Sequence, residues 1–391
     1  MLTKEKYFIV LFLFGAIIPS AFGQWAPIPT GTTTKYESLY FFDAMNGVAA
    51  SWGKVLRTAN GGDTWSIVNV SGVRDIDFAN TNVGFVAGVS GSAIKKTTNG
   101  GLNWTALTPI NSSSLWGVSV PDENTVYVCG VSRIIWKSTN GGLNFTVASL
   151  PPPGDLVVDI DFSSPTTGVA LEQSSVWKTT NGGASWVNTF SIPSVSFTSI
   201  YFIDVLNGFA VGSAGTIIKT TNGGSNWTTL NSGSGSYLQY VHFFDLNNGI
   251  AVGYTGVVLR TTNAGESWFL ENTGTTENFF SCILLSPTIA IIGGENGFMM
   301  KNKNLVNGVG QVEAPSMAYK IYPNPTAGLF YWSSDQTINS IKVFDLLGRL
   351  VFESAAGASE TVIDLSNNAP GVYYVQAQRA GALYSTKVVR E

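Results

Sequence analysis

Two pairs of aspartates occupy equivalent places in the chain and are the residues best suited to chemistry. One pair is Asp75 and Asp77, and the other is Asp159 and Asp161. Alternate residues of a β-strand share a face, so each pair presents two carboxylates side by side. Paired carboxylates can bind a cation or act as the two acids of glycoside cleavage. The alternative is that they line a polar, water-filled channel.

In three other units, the place of Asp77 and Asp161 is occupied by an aromatic residue: Tyr40, Tyr201 or His242. His242 is the only histidine, which excludes a His-rich metal site and a Ser-His-Asp triad, so we predict no metal and no cofactor. If the protein is an enzyme, Asp77 and Asp161 are its catalytic candidates. The binding candidates are Asp75, Asp77, Asp159, Asp161, Tyr40, Tyr201 and His242.

An eight-residue phrase that occurs six times organises the strands that carry these residues. In residues 97–104 it reads Thr-Thr-Asn-Gly-Gly-Leu-Asn-Trp, and we call it the box. Asn-Gly-Gly tolerates the positive φ of a tight hairpin, and the Thr hydroxyls can bond the amides of the turn. A period near forty residues predicts blades or solenoid units, each of four strands. The box positions are Asn60, Asn99, Asn140, Asn181, Asn222 and Asn263, with Trp65, Trp104, Trp186, Trp227 and Trp268, and Phe145 in the third copy.

There are seven units although there are only six boxes. The second strand begins at Gly47, Gly84, Thr125, Gly168, Gly208, Gly249 and Thr288. The seventh unit ends after Lys301 without a box, whereas residues 25–28 look like a fourth strand that has no unit before it. We predict that residues 25–28 complete the seventh unit and close a ring, which removes the exposed sheet edges. An open solenoid is the alternative.

The box resembles the hairpin of Asp-box propellers, with Asn where that family usually has Asp. In that family the box is a structural staple, remote from catalysis; a ligand bound at the turn is the alternative. Over residues 24–304 the repeat is similar to that of the photosystem II assembly-factor propellers. This resemblance implies an all-β fold with a seven-bladed β-propeller.

Two enzyme families with Asp boxes fit the chain poorly. A sialidase needs three arginines that converge on a carboxylate, whereas the propeller has only Arg57, Arg74, Arg133 and Arg260. Xyloglucan-degrading endoglucanases pair two propellers around a cleft, and here there is one. We therefore expect a non-enzymatic platform that binds a protein or a glycan. The alternatives are a glycan-active hydrolase that uses the channel carboxylates, and an assembly helper, which an extracellular address disfavours.

Two further sets of residues are candidates for recognition. Loops between a fourth strand and the next unit differ in length and carry Phe197, Tyr237, Phe279 and Phe280, which favours that face as a binding surface. The alternative is that these aromatic residues cap the core of the blades. A basic residue also precedes each box, forming either an anion-binding rim or strand ends that cover apolar surface. This basic ring is Arg57, Lys96, Lys137, Lys178, Lys219, Arg260 and Lys301.

The N-terminus and the composition indicate an exported protein. Residues 1–23 read as a signal peptide, with Lys4 and Lys6 before an apolar run that is too short to span a bilayer. Charged residues make up 12 % of the chain and the net charge is −4, so we expect no nucleic-acid partner. Cys129 and Cys282 fall in distant units, which favours buried free thiols over a disulfide.

A second domain follows a linker at residues 305–317. Residues 318–391 contain short alternating strands that predict a small immunoglobulin-like β-sandwich. They closely resemble the C-terminal sorting domain of type IX secretion substrates, which implies the type IX machinery as a partner and a secreted or cell-surface destination. An accessory sandwich with its own ligand is the alternative. The motif residues are Pro323, Asn324, Pro325, Gly348, Arg349 and Gly371.

Overall fold

A computed structural model describes the chain as two compact all-β units, Met1–Gly308 and Val309–Glu391. The described residues are 25–89, 94–107, 114–152, 154, 156–303, 305, 319–334, 337–345, 350–355, 359–379 and 382–391. The predicted signal peptide and all but one residue of the predicted linker lie outside them. No helix among the described residues is long and apolar enough to cross a membrane.

Seven antiparallel four-stranded sheets make up the first unit. Blades 1 to 6 each use four consecutive strands, and blade 7 uses three together with β1. The strands of blades 1 to 3 are β2 Tyr36–Phe41, β3 Gly47–Ser51, β4 Lys54–Thr58, β5 Ser66–Asn69, β6 Val73–Phe78, β7 Gly84–Gly88, β8 Ile94–Thr97, β9 Thr105–Ala106, β10 Leu115–Ser119, β11 Val126–Gly130, β12 Ile135–Ser138 and β13 Thr146–Val147. Those of blades 4 to 6 are β14 Val157–Phe162, β15 Gly168–Glu172, β16 Ser175–Thr179, β17 Val187–Ser191, β18 Phe197–Phe202, β19 Gly208–Gly212, β20 Ile217–Thr220, β21 Thr228–Leu230, β22 Leu238–Phe243, β23 Gly249–Gly253, β24 Val258–Thr261 and β25 Phe269–Leu270. Blade 7 consists of β26 Phe279–Ser286, β27 Ile289–Gly294, β28 Met299–Asn302 and β1 Ala26–Pro27.

The first strands of neighbouring blades contact one another around the whole ring, including β26 with β2. They are therefore the innermost strands, and they enclose a central channel. Loops from the fourth strand to the next blade and turns from the second to the third strand lie at one end of the channel, which we call the loop face. The boxes join the third and fourth strands at the opposite end, which we call the box face.

The prediction that residues 25–28 close the ring is confirmed. Strand β1 pairs with β28, with Ala26 opposite Lys301 and Pro27 opposite Met300, and the Ile28 amide donates to the Met299 carbonyl at 2.8 Å. The Trp25 side chain is 4 % exposed and belongs to the core between blades 6 and 7. The first and last strands of the propeller thus share one sheet.

The strand pairing shows that the predicted alignment of the repeat is wrong in blades 3 and 7. Gly84 pairs with Thr97, the first box residue of blade 2, and its equivalent in blade 3 is Val126, which pairs with Ser138. The predicted equivalent, Thr125, is one residue too early. In blade 7 the equivalent is Ala290 rather than Thr288, because Ala290 pairs with Asn302. Neither blade has Gly at this place, so the marker that aligned the other five was missing.

Each box is a hairpin turn whose hydrogen bonds are the same in all six copies. In the second copy the Thr97 hydroxyl accepts from the Gly101 amide at 2.9 Å, and Asn99 Oδ1 accepts from the Asn103 amide at 3.0 Å. Gly100 and Gly101 have φ of +65° and +82°, which explains the need for glycine there. The Trp104 ring then packs edge-on against Phe78 at 6.0 Å, within a core that includes Val48 of the preceding blade.

The second unit is a sandwich of two sheets. One has the order β29 Tyr319–Tyr322, β30 Leu329–Ser334 and β33 Glu360–Asp364; the other has β32 Leu350–Ala355, β31 Ser340–Phe344, β34 Gly371–Arg379 and β35 Ala382–Arg390. Phe330, Trp332 and Val343 are fully buried in its core. Pro323 and Pro325 follow β29, Asn324 Oδ1 accepts from the Val389 amide at 3.0 Å, and Gly371 begins β34. Gly348 and Arg349 lie outside the described residues.

Candidate functional site at the channel mouth

The predicted carboxylates lie on the innermost strands, where they connect neighbouring blades. Asp75 Oδ2 accepts from the Val118 amide at 2.8 Å, and Asp77 Oδ2 accepts from the Val120 amide at 2.6 Å. Their other oxygens accept from the amides of Ile76 and Phe78, each at 2.8 Å. Strand β6 is thereby tied to β10 of the next blade by two side chains.

Asp159 and Asp161 tie β14 to β18 in the same way. Their Oδ2 atoms accept from the amides of Ile200 at 2.9 Å and Phe202 at 2.8 Å. Among the described residues, no group of three or more His, Cys, Asp or Glu side chains is placed to hold a metal ion. These aspartates act as acceptors for main-chain donors, a structural use that neither sequence interpretation considered.

Burial raises the pKa of all four carboxyls, because the surrounding protein displaces most of the water that would stabilise their charge. The pKa of Asp77 is raised to about 8, with repulsion from Asp161 and Asp75 adding to the effect of burial. Burial raises the pKa of Asp75 and of Asp161 to about 6, and the hydrogen bonds from main-chain amides oppose it in both cases. The pKa of Asp159 lies well above its usual range because of burial and of Asp75.

The aromatic members of the predicted set also connect blades. His242 Nδ1 accepts from the Leu284 amide at 3.3 Å, and burial lowers the pKa of His242 to about 3, so the ring is neutral. The Tyr40 hydroxyl donates to the Phe78 carbonyl at 3.2 Å. The Tyr201 ring packs against His242 at 4.7 Å.

Two serines that the sequence analysis did not identify also form hydrogen bonds to the main chain of a neighbouring blade. Ser119 Oγ in blade 3 accepts from the Phe162 amide at 3.0 Å, and Ser281 Oγ in blade 7 donates to the Tyr36 carbonyl at 3.1 Å. Ser119 stands at the place of Asp77 once blade 3 is aligned on Val126. The correct repeat register is therefore the signal that would have found it.

The basic ring lies at the box face, where its members reach into the next blade. Four ammonium groups contact a main-chain carbonyl of the next box turn: Lys96 that of Gly141 at 2.9 Å, Lys137 that of Gly182 at 3.2 Å, Lys219 that of Ala264 at 2.8 Å and Lys301 that of Gly61 at 2.6 Å. Lys178 donates to Ser225 Oγ at 2.9 Å, Arg260 donates to the Pro287 carbonyl at 2.6 Å, and Arg57 lies beside Gly100. These contacts link successive blades, and they occupy the cations with oxygen atoms of the protein.

A cavity of about 280 Å³ opens at the loop face, on the axis of the channel. Asp75 and Asp159 line its inner part, and Arg74 and Trp116 stand on the first strands of blades 2 and 3. The Arg74 guanidinium lies over the Trp116 ring at 3.3 Å from the ring centroid. Burial lowers the pKa of Arg74, although it stays far above neutrality.

Aromatic side chains of blades 6 and 7 form the opposite wall. Tyr237 stacks on Tyr254 at 5.2 Å, and Tyr254 meets Phe280 edge-on at 5.8 Å. Lys35 lies over Phe280 at 4.1 Å and pairs with Glu37 at 2.8 Å. Of the four loop aromatics named from the sequence, Phe197, Tyr237 and Phe280 line the cavity, whereas Phe279 is fully buried in the blade core.

The fold defines the class of the protein: a seven-bladed β-propeller joined to a small β-sandwich. A family described as "Photosynthesis system II assembly factor YCF48" matches residues 188–277, and one described as "Secretion system C-terminal sorting domain" matches residues 320–391. Residues 188–277 are therefore YCF48-like, within a propeller that is followed by a type IX secretion sorting domain at residues 320–391. That domain marks the protein as secreted to the cell surface, the outer membrane or the extracellular space.

Solved structures support the propeller fold. YCF48 from Cyanidioschyzon merolae is 17% identical with a TM-score of 0.60, over 71% of this chain and 98% of that chain. A structure titled "YCF48 bound to D1 peptide" is 17% identical with a TM-score of 0.58, over 71% of this chain and 94% of that chain. The WD40 propeller domain of Doa1 is 13% identical with a TM-score of 0.56, over 71% and 94%. No curated protein matches the chain significantly.

Proposed function

We propose that the propeller is a non-enzymatic binding platform at the cell surface or outside the cell, and that its ligand contacts the channel mouth at the loop face. One observation carries the proposal: three polar side chains that line the cavity form no side-chain hydrogen bond within the described part of the chain. Among the described residues, none forms a hydrogen bond with the side chain of Arg74, Gln173 or Gln239, although all three line the cavity. Concave sites with aromatic walls and a few unengaged polar groups are typical of ligand sites.

The box face is a weaker candidate, because its cations already contact carbonyl oxygens of the next blade. The loop face has loops of variable length, exposed aromatic side chains and a cavity. The structure of YCF48 bound to the D1 peptide shows that a propeller of this fold can bind a peptide, which supports a protein ligand here. The proposed ligand is therefore either a protein or a glycan.

A glycan-active hydrolase is the second candidate, and the unequal pKa values of Asp77 and Asp161 support it. A general acid and a base need different pKa values, and here they are about 8 and about 6. Both oxygens of Asp77, however, accept hydrogen bonds from main-chain amides, which hold the carboxyl against the protein. The geometry therefore favours binding over turnover.

The test is a binding screen and a hydrolysis screen on the secreted protein, using glycan and peptide libraries. We expect binding without turnover, and we expect Arg74→Ala and Trp116→Ala to weaken it at least tenfold. Asp77→Asn with Asp161→Asn should leave the affinity unchanged if the variant melts as a folded protein. Turnover that disappears in the double Asn variant would establish the hydrolase instead.

A further inference from the structure

We infer that the channel mouth binds a neutral sugar unit, at an end or branch of a polysaccharide. This inference rests on the proposed function and names the ligand class of the same cavity. The size of the cavity is the first reason. Its volume of about 280 Å³ lies just below the range of ligand pockets, which runs from about 300 to 1,000 Å³. Such a space suits one compact ring and its substituents better than a length of extended chain.

The charges of the cavity are the second reason. Lys35 and Arg74 stand near Glu37 and Asp75, so charges of both signs are interspersed within one small space. A free carboxylate bound to Arg74 would lie near Glu37 and Asp75, the two acids whose charges act on that guanidinium. A free ammonium group would in turn meet Lys35 and Arg74. A peptide terminus or an acidic sugar is therefore disfavoured relative to an uncharged ligand.

The unengaged hydrogen-bonding groups are the third reason. Arg74 provides donors only, whereas the amides of Gln173 and Gln239 provide both donors and acceptors. A sugar hydroxyl can donate and accept at once, so neighbouring hydroxyls on a ring satisfy all three side chains. A ligand that excludes water and leaves such groups without a partner loses affinity. Ligands that lack hydroxyl or amide groups are therefore selected against.

The aromatic walls are the fourth reason. The Tyr237 and Tyr254 rings are stacked, and Tyr254 is 37% exposed. A pyranose ring has a flat face of C–H groups that buries apolar area when it lies on an aromatic ring. Arg74 holds the Trp116 ring from one side. Rings that are already fixed by their neighbours lose little side-chain freedom when a ligand binds.

The experiment uses the full secreted protein on an array with three parts. The first holds neutral β-glucans, mannans, xylans and galactans, the second holds uronic-acid oligosaccharides, and the third holds peptides with free and with amidated ends. Calorimetry with the best soluble oligosaccharide then gives the affinity. We expect binding to the neutral part, with little dependence on salt, and a loss of at least tenfold in Trp116→Ala and in Gln239→Ala.

Trp52→Ala is the matched control, because Trp52 is 54% exposed and does not line the cavity. Its affinity should equal that of the wild type, and thermal melting should show that every variant is folded. Binding confined to uronates or peptides, and still lost in Trp116→Ala, would overturn the neutral-sugar inference while leaving the platform in place. No binding to any part of the array, or binding that both cavity variants retain, would overturn the platform at this face as well.

Discussion

The channel aspartates make stability depend on pH in a direction opposite to that of ordinary surface carboxylates. A carboxyl whose pKa is raised by folding contributes stability that is fully present below its unfolded pKa and is lost as pH rises through its folded pKa. For Asp77 that window runs from its ordinary value of 3.8 to about 8. Asp75 and Asp161 add to the loss up to about pH 6.

We therefore predict that the propeller is less stable at pH 8 than at pH 5, by an amount on the order of a few kcal/mol. The lowered pKa of His242 opposes this trend only up to its ordinary value of 6.5, and the loss from the aspartates is larger. Chemical denaturation followed by Trp fluorescence at a series of pH values measures the change. Asp77→Asn should flatten the decline above pH 6. Asp43→Asn should leave it in place, because hydrogen bonds from Asn46 and from main-chain amides lower the pKa of the exposed Asp43. Stability that rises steadily from pH 5 to pH 8 would contradict this account of the channel.

A glycine and a phenylalanine form a matched pair in five blades. In blade 2 a Cβ added at Gly84 would lie 2.3 Å from the Phe78 ring, so the ring occupies the space of the missing side chain. Blade 3 has Val120 and Val126 at these two places, and blade 7 has Leu284 and Ala290. The sequence shows the glycines, but only the pairing shows why two blades lack them.

The pair predicts a non-additive double substitution. Gly84→Val alone should destabilise the propeller by about 1 to 3 kcal/mol or more, because the ring must move. Phe78→Val together with Gly84→Val reproduces blade 3 and should recover part of that loss. Denaturant unfolding of the two single variants and the double variant gives the coupling energy. Losses that simply add would show that the Phe78 ring does not need the glycine.

Among the elements, the two-residue strand β1 closes the ring. Two paired residues and the Trp25 side chain join the start of the chain to its seventh blade. The missing box after Lys301 was enough to predict this closure, since it left one strand to be supplied. The buried Arg133–Glu172 pair between blades 3 and 4, at 2.6 Å, was not predictable, because Glu172 ends its second strand at a place where five other blades have Gly.

We predict that Trp25→Ala lowers the free energy of unfolding by about 3 to 5 kcal/mol, the usual cost of removing a large buried aromatic side chain. Thermal melting of the secreted protein should show a clearly lower midpoint. Trp52→Ala is the control at an exposed tryptophan and should melt within a degree or two of the wild type. Equal midpoints for the two variants would mean that β1 does not close the ring in solution.

At the scale of the whole molecule, the propeller and the second domain could be predicted from the sequence. Residue types recur at fixed spacing in the propeller, and the second domain carries motif residues that resemble a known family. The recurring start of the second strand predicted seven blades, and the six boxes are turns that are stabilised by hydrogen bonds among their own Thr, Asn and Gly residues. The cavity could not be predicted in the same way. Arg74, Trp116 and Gln239 occupy one place in the repeat, the second residue of the first strand in blades 2, 3 and 6, but they differ in residue type, and Gln173 follows the second strand of blade 4. Only the ring brings the four side chains together around one cavity. Closure of the ring thus creates the proposed site.

The sorting domain directs delivery, and the proposed binding role belongs to the propeller, so the two roles can be tested separately. Removing residues 318–391 should abolish delivery to the cell surface or medium, because that segment contains the sorting domain. The truncated propeller should then accumulate inside the outer membrane with an unchanged melting midpoint, since all seven blades remain. Cell fractionation with antibody detection measures the distribution. Trp116→Ala in the full chain is the control and should be delivered like the wild type. Normal amounts of the truncated protein at the surface would show that residues 318–391 do not direct its export.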